Sequence, residues 1–205
     1  MPLSEPQARE KLHTRTIVIN GYRREDGLFD IEAQLTDTKA SGFPSAYRGY
    51  IEAGEPLHGM WMRMTVNEEL RVVACEASSD HTPYAICSLA APNFARLEGL
   101  RIKAGFLRDA AARIGGTAGC THLRELLQQM GTTAHQTVNS ARADREATML
   151  RAETGQALSP EEIDTRTAAK FGGSATIVNT CIAYDEAGPL VKQRWPHLYK
   201  GADPN

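Results

Sequence analysis

Polar and apolar residues alternate twice in the first third of the chain. Ile17 and Ile19 alternate with polar neighbours, and Phe29, Ile31, Ala33 and Leu35 alternate with Asp30, Glu32, Gln34 and Thr36. A period of two puts one set on each face of a strand, so residues 15–37 predict a half-buried hairpin. The connection Arg24-Glu25-Asp26-Gly27 carries an Asp-Gly pair suited to positive φ in a tight turn. A second hairpin follows. Met60, Met62, Met64 and Val66 form one strand face, Asn67-Glu68-Glu69 turns, and residues 70–77 return with Val72, Val73, Ala74 and Cys75. The Gly- and Pro-punctuated loop between the hairpins, residues 40–59, is too long for a simple connector and is expected to fold over the sheet.

After Pro92 the period changes. Leu107, Ala110, Ala111 and Ile114 have helical spacing, and Gly115-Gly116 ends that helix. Residues 121–153 hold no proline and one glycine, with Leu123, Leu126, Leu127 and Met130 as a buried stripe; they predict one long helix, or two in tandem broken near Gly131. Ser159-Pro160-Glu161-Glu162 starts a further helix with a capping box, and Gly172-Gly173 stops it. An extended stretch from Ala175 to Tyr184, an Asp-Glu-Ala-Gly turn and a Trp195-Pro196 tail complete the chain. Strands first and helices later, without βαβ alternation, predict an α+β class: an antiparallel sheet of two hairpins packed against C-terminal helices. The expected organisation is a single domain over 1–205, with a sheet-rich half at 15–77, a helical half at 93–173 and an extended tail at 174–205.

Composition narrows the functional classes. The chain has 205 residues, 41% hydrophobic, with 23 basic against 25 acidic side chains. A chain of this size buries roughly 70% of its unfolded surface and needs neither disulfide nor metal for stability, so a metal site would need a functional reason. A formal charge of −2 and a pI near 6.3 give no field for unselective binding to nucleic acid or an anionic membrane. No apolar run approaches membrane-spanning length, and the start, with Glu5, Arg9, Glu10 and Lys11, lacks the apolar core of a secretory leader, so a cytoplasmic location is expected. Cysteines 75, 87, 120 and 181 form no CxxC pair and read as free thiols.

The candidate chemistry is spread along the chain. In Gly119-Cys120-Thr121-His122-Leu123 the thiol of Cys120 precedes the long helix, where unpaired N–H groups and the dipole favour thiolate. Cys120 is thus a candidate nucleophile or ligand, the alternative being a small buried residue beside a packing histidine. His58 precedes the Met60 strand, while His81 and Cys87 flank the loop after its partner, so these groups are expected at one end of the sheet. His58, Cys87, Cys120 and His122 together have ligand types suited to zinc or iron, although chance proximity would give the same composition. Asp30 and Glu32 share a polar strand face where one carboxylate can raise the other's pKa. Asp30 or Asp37 is the expected acid–base group alongside His58, the alternative being a solvated outer face. Arg23, Arg24 and Lys39 are candidates for an anionic substrate, or simply partners of those carboxylates. The methionines read as core volume. Gly115-Gly116-Thr117-Ala118-Gly119 lacks the lysine of a phosphate loop and follows a helix, and neither GxSxG nor HExxH is present.

His13-Thr14-Arg15, the run from Gly21 to Glu32, and Asp37-Thr38-Lys39 resemble a bacterial family designated only domain of unknown function 2889. The resemblance continues through Gly54-Glu55-Pro56-Leu57-His58, Pro83-Tyr84-Ala85-Ile86-Cys87, Gly119-Cys120-Thr121-His122-Leu123 and Thr180-Cys181-Ile182-Ala183-Tyr184, nearly the whole chain, and implies no established activity. A remoter similarity is to the iron–sulfur scaffold and sulfur-acceptor superfamily, whose sulfur- or metal-receiving thiols Cys87 and Cys120 would match by position. This chain departs from it with His58 in place of a first scaffold cysteine and with an added N-terminal hairpin. The expectation is a small cytoplasmic catabolic enzyme of lyase, hydrolase or isomerase type, acting on a small polar or aromatic molecule, with one divalent metal as an option. The rivals are a sulfur- or iron–sulfur-handling accessory protein and a small-molecule binding module.

Overall fold

Four strands form one antiparallel sheet. They are, in their order across it, β1 (His13–Arg23), β2 (Phe29–Lys39), β5 (Pro56–Val66) and β6 (Val72–His81), with β3 (Phe43–Ser45) and β4 (Gly49–Ile51) forming a separate two-stranded ribbon. The structure, a computed structural model, describes residues 3–155, 157, 159–171 and 177–201, and divides into two compact units, Met1–Val138 and Asn139–Asn205.

The first hairpin turns as the Asp-Gly pair predicts. Gly27 sits at φ 85°, a conformation that costs other residues about 1 kcal/mol or more, and the Arg24 amide closes the turn on the Leu28 carbonyl at 2.9 Å. In the second hairpin the return strand begins at Val72 rather than residue 70. Leu70 is held in the turn at φ 58°, its amide donating to the Asn67 carbonyl. The loop expected over 40–59 is partly structured, since β3 and β4 lie within it and β5 begins at Pro56.

Alternation builds the core face. Phe29, Ile31, Ala33 and Leu35 on β2 are buried, as are Met60, Met62, Met64 and Val66 on β5. The two sets meet in register as Ile31 with Met64, Ala33 with Met62 and Leu35 with Met60. Cross-strand pairs of this kind are the unit of sheet stabilisation, and the methionines do fill core volume.

The helices α1 (Phe106–Ile114) and α2 (Thr121–Thr154) follow, and α2 is one continuous helix despite Gly131. Leu123, Leu126, Leu127 and Met130 are buried along it. Gly21 on β1 marks where α2 passes: a Cβ there would meet the Thr137 Oγ1 at 1.8 Å, so only glycine admits so close a crossing. Before α1, residues Ala85–Leu97 form a run of 3₁₀ turns burying Ala91, Phe94 and Leu97, an element that the sequence patterns do not predict.

In the second unit, α3 (Pro160–Phe171) starts at the expected capping box: the Ser159 amide donates to Glu162 Oε2 at 2.8 Å and the Glu162 amide to Ser159 Oγ at 3.3 Å. The expected stop at Gly172-Gly173 and the first residues of the extended stretch lie outside the described residues. The tail is not extended where it is described. Short turns of helix occupy Ile182–Tyr184, α4 (Pro189–Arg194) and Pro196–Leu198, because Pro189 and Pro196 preset the first helical φ and Val191 and Trp195 have apolar surface to bury. Among the described residues no helix is long and apolar enough to cross a membrane.

Candidate functional site

The apolar stripe of the sheet ends in charge. Odd positions of β2 face the core from Phe29 to Leu35, and the next odd position is Asp37, 1% exposed. Even positions of β5 do the same, and the one preceding Met60 is His58, 9% exposed. Asp37 and His58 are direct cross-strand partners, and Arg15 of β1 faces Asp37 from the other side, with His13 two residues earlier on the same face. Three strands thus converge four polar side chains at one end of the core face. The start of α2 adds His122, and Glu125 three positions on shares its helix face.

Asp37 is saturated with donors. Its Oδ1 accepts from Arg15 Nε at 2.8 Å and from His13 Nε2 at 3.1 Å. Its Oδ2 accepts from the second arm of Arg15 at 2.8 Å and from His58 Nδ1 at 3.0 Å. Burial pushes the carboxyl up, but the hydrogen bonds and charge of Arg15, with His58 and His13, outweigh it and bring Asp37 down to about 2. A carboxylate ionised at every ordinary pH only accepts, so His58 must donate through Nδ1, and the neutral ring then carries its lone pair on Nε2. The imidazole of His58 is itself pushed below its usual range, first by burial and then by neighbouring His122, against the opposing pull of Asp37. The rings of His58 and His122 stack with centroids 3.9 Å apart and planes tilted by 34°. Arg15 reaches on to Glu125 Oε2, tying β1 to α2.

Of the residues singled out in the sequence, His58, His122 and Asp37 come together. Asp37, His58 and His122 each place a ligand-type atom within 4.8 Å of the others, and Cys87 and Cys120 join no such group among the described residues. Asp30 lies elsewhere: it accepts from Thr65 Oγ1 at 2.7 Å and neighbours Arg24 at 3.5 Å. The reason is parity, since an odd separation of seven residues puts Asp30 and Asp37 on opposite faces, at positions roughly 23 Å apart along the strand. Arg24 pairs with Asp26 as well, and with Arg23 it stands at the hairpin turn, at the other end of β2 from Asp37. These arginines therefore do not serve the Asp37 cluster. Lys39 ends β2 beside the cluster, opposite His13 in register. Cys75, buried in β6, is pushed up to about 12 by desolvation and is an inert thiol. Sequence reasoning missed His13, Arg15 and Glu125. A usable signal was present, because Asp37 and His58 both fall on the apolar phase of their strands, where a polar residue needs partners.

A cavity of about 250 Å³ between α1 and α2, lined by Leu107, Ala111, Thr121 and Leu127 among others, shares Glu125 with the cluster. A family model described as a protein of unknown function (DUF2889) matches residues 13–136, a span that contains all six cluster residues. No curated protein and no solved structure matches the chain, so the likeness to the iron–sulfur scaffold superfamily has no support from these comparisons.

Proposed function

The chain belongs to the DUF2889 family, and from the polar cluster that its matched span contains we propose that it is a small cytoplasmic enzyme of lyase, hydrolase or isomerase type acting on a small polar or aromatic molecule. His58 is the proton-transfer group: Nε2 takes a proton from substrate or water, and Asp37 holds the ring in that tautomer and stabilises the imidazolium that forms. His122, stacked on His58, is the second imidazole able to pass or receive a proton. Arg15 is committed to Asp37 and Glu125 and holds the carboxylate in place. With that guanidinium engaged, the reading favours a neutral substrate over an anionic one.

The observation that carries the reading is a buried carboxylate, fully hydrogen-bonded, aimed at one nitrogen of a histidine whose pKa is lowered. An ion network whose only task was stability would have little use for a neutral ring, since apolar residues of similar volume commonly serve as well.

The test is a panel of aromatic esters, hydroxy amides and β-hydroxy ketones, followed by mass spectrometry with the parent, His58→Gln and Asp30→Asn proteins. The expected result is turnover of at least one compound by the parent and by Asp30→Asn, with His58→Gln slower by about 10²-fold or more. Equal turnover by His58→Gln would overturn the reading. Compounds bound by the parent without any conversion would put the binding-module reading in its place.

A further inference from the structure

Asp37 spends its acceptor directions on two nitrogens of Arg15, on His13 and on His58. An oxygen so engaged, with a guanidinium against it, has nothing left for a cation. The carboxylate–histidine hydrogen bond is instead the arrangement that backs a metal-bound imidazole, fixing its tautomer and raising the basicity of the far nitrogen. The Asp37 hydrogen bond is made through Nδ1 of His58, which leaves Nε2 as the far nitrogen, and His122 is stacked upon the ring at 3.9 Å between centroids.

His58 and His122 each offer a ligand-type nitrogen within 4.8 Å of the other. Two imidazole nitrogens on one tetrahedral ion at about 2.0 to 2.1 Å stand roughly 3.3 Å apart, so the stacked rings would slide and open to share it. The charge of Arg15 is met by the carboxylates of Asp37 and Glu125.

We propose that His58 and His122 bind one divalent transition-metal ion of the zinc class, with Asp37 as the carboxylate behind His58 and the remaining positions open to water and to an oxygen of the substrate. This deepens the functional reading above and rests on it. The metal-bound water would then carry the proton chemistry otherwise assigned to free Nε2. Cys87 and Cys120 take no part.

Full-length protein stripped with a chelator is titrated with Co²⁺, read by visible absorption, and with Zn²⁺, read by calorimetry. One equivalent should bind. His58→Gln and His122→Ala should each weaken binding by about 100-fold, and Asp37→Asn by about 10- to 100-fold, whereas Cys87→Ser and Cys120→Ser should bind as the parent does. Circular dichroism establishes that each variant is folded. The proposal is overturned if the parent shows no saturable binding, if folded His58→Gln and His122→Ala bind as tightly as the parent, or if the cysteine variants lose the ion. Turnover that persists in stripped parent yet disappears in His58→Gln would remove the metal and leave the acid–base reading standing.

Discussion

Two aspartates on β2, Asp30 and Asp37, show what position does to identical chemistry. Asp30, near the hairpin turn, is bonded to Thr65 and neighbours Arg24. Asp37, seven residues on, is sealed in the core face under a bidentate arginine and two histidines. The first carboxylate lies on the outer face of an amphipathic strand. The second interrupts an apolar stripe, and only its partners make that tolerable. A buried carboxylate is informative because it is expensive, whereas an outer-face one commonly has no role beyond solvation.

Removing each carboxylate should separate them most widely. Asp37→Ala leaves the Arg15 fork and His58 Nδ1 without their acceptor, and should lower stability by about 3 to 5 kcal/mol in urea unfolding. Asp30→Ala should cost about 1 kcal/mol. Equal losses would erase the distinction.

Acid should sharpen the same contrast in metal-free protein. Folding lowers the pKa of His58, so the unfolded chain takes up the proton first and stability begins to fall as pH drops below the ordinary histidine value of 6.5. Asp37, held at about 2 against 3.8, contributes stability that is present above 3.8 and is lost as pH falls toward 2, a loss of about 2 kcal/mol. The urea midpoint measured against pH should keep both losses in Asp30→Asn and lose the lower one in Asp37→Asn.

The two ends of β1 are seated on α2 by different means, by shape at Gly21 and by charge at Arg15. Gly21→Ala, which forces a Cβ into Thr137, should cost about 1 to 3 kcal/mol. Glu125→Gln removes a partly exposed partner and should cost less than about 1 kcal/mol, the more so at high salt. Reversal of that order would mean that the cluster, rather than the close crossing, seats the helix.

The smallest effect is expected where the apolar stripe is simply completed. Arg15→Met, Asp37→Leu and His58→Met extend the apolar phase of β1, β2 and β5 respectively, and should leave stability within about 1 kcal/mol of the parent while ending turnover. Retained turnover in this folded triple variant would move the site elsewhere.

Period and turn chemistry made both hairpins, α1, α2 and the capping box at Ser159 legible in the sequence, because each is a local pattern with a local cause. The 3₁₀ run at Ala85–Leu97 was not legible, since it has no sustained period and is held by burial of Phe94 and Leu97. Half of the cluster could be read from residue type, namely Asp37, His58 and His122. Arg15 and His13 could not, because their role depends on β1 pairing with β2 so that Arg15 faces Asp37. The cysteines misled for the opposite reason: ligand-type composition carries no information about distance, and Cys87 and Cys120 join no group with the histidines among the described residues.

The tautomer of His58 is the most direct test of whether Asp37 aims that ring. Long-range ¹H–¹⁵N correlation spectra of metal-free protein at neutral pH should show His58 neutral, protonated at Nδ1 with Nε2 bare, and Asp37→Asn should weaken that preference. A His58 protonated at Nε2 alone, or an imidazolium at neutral pH, would contradict the assignment of Nε2 as the working lone pair.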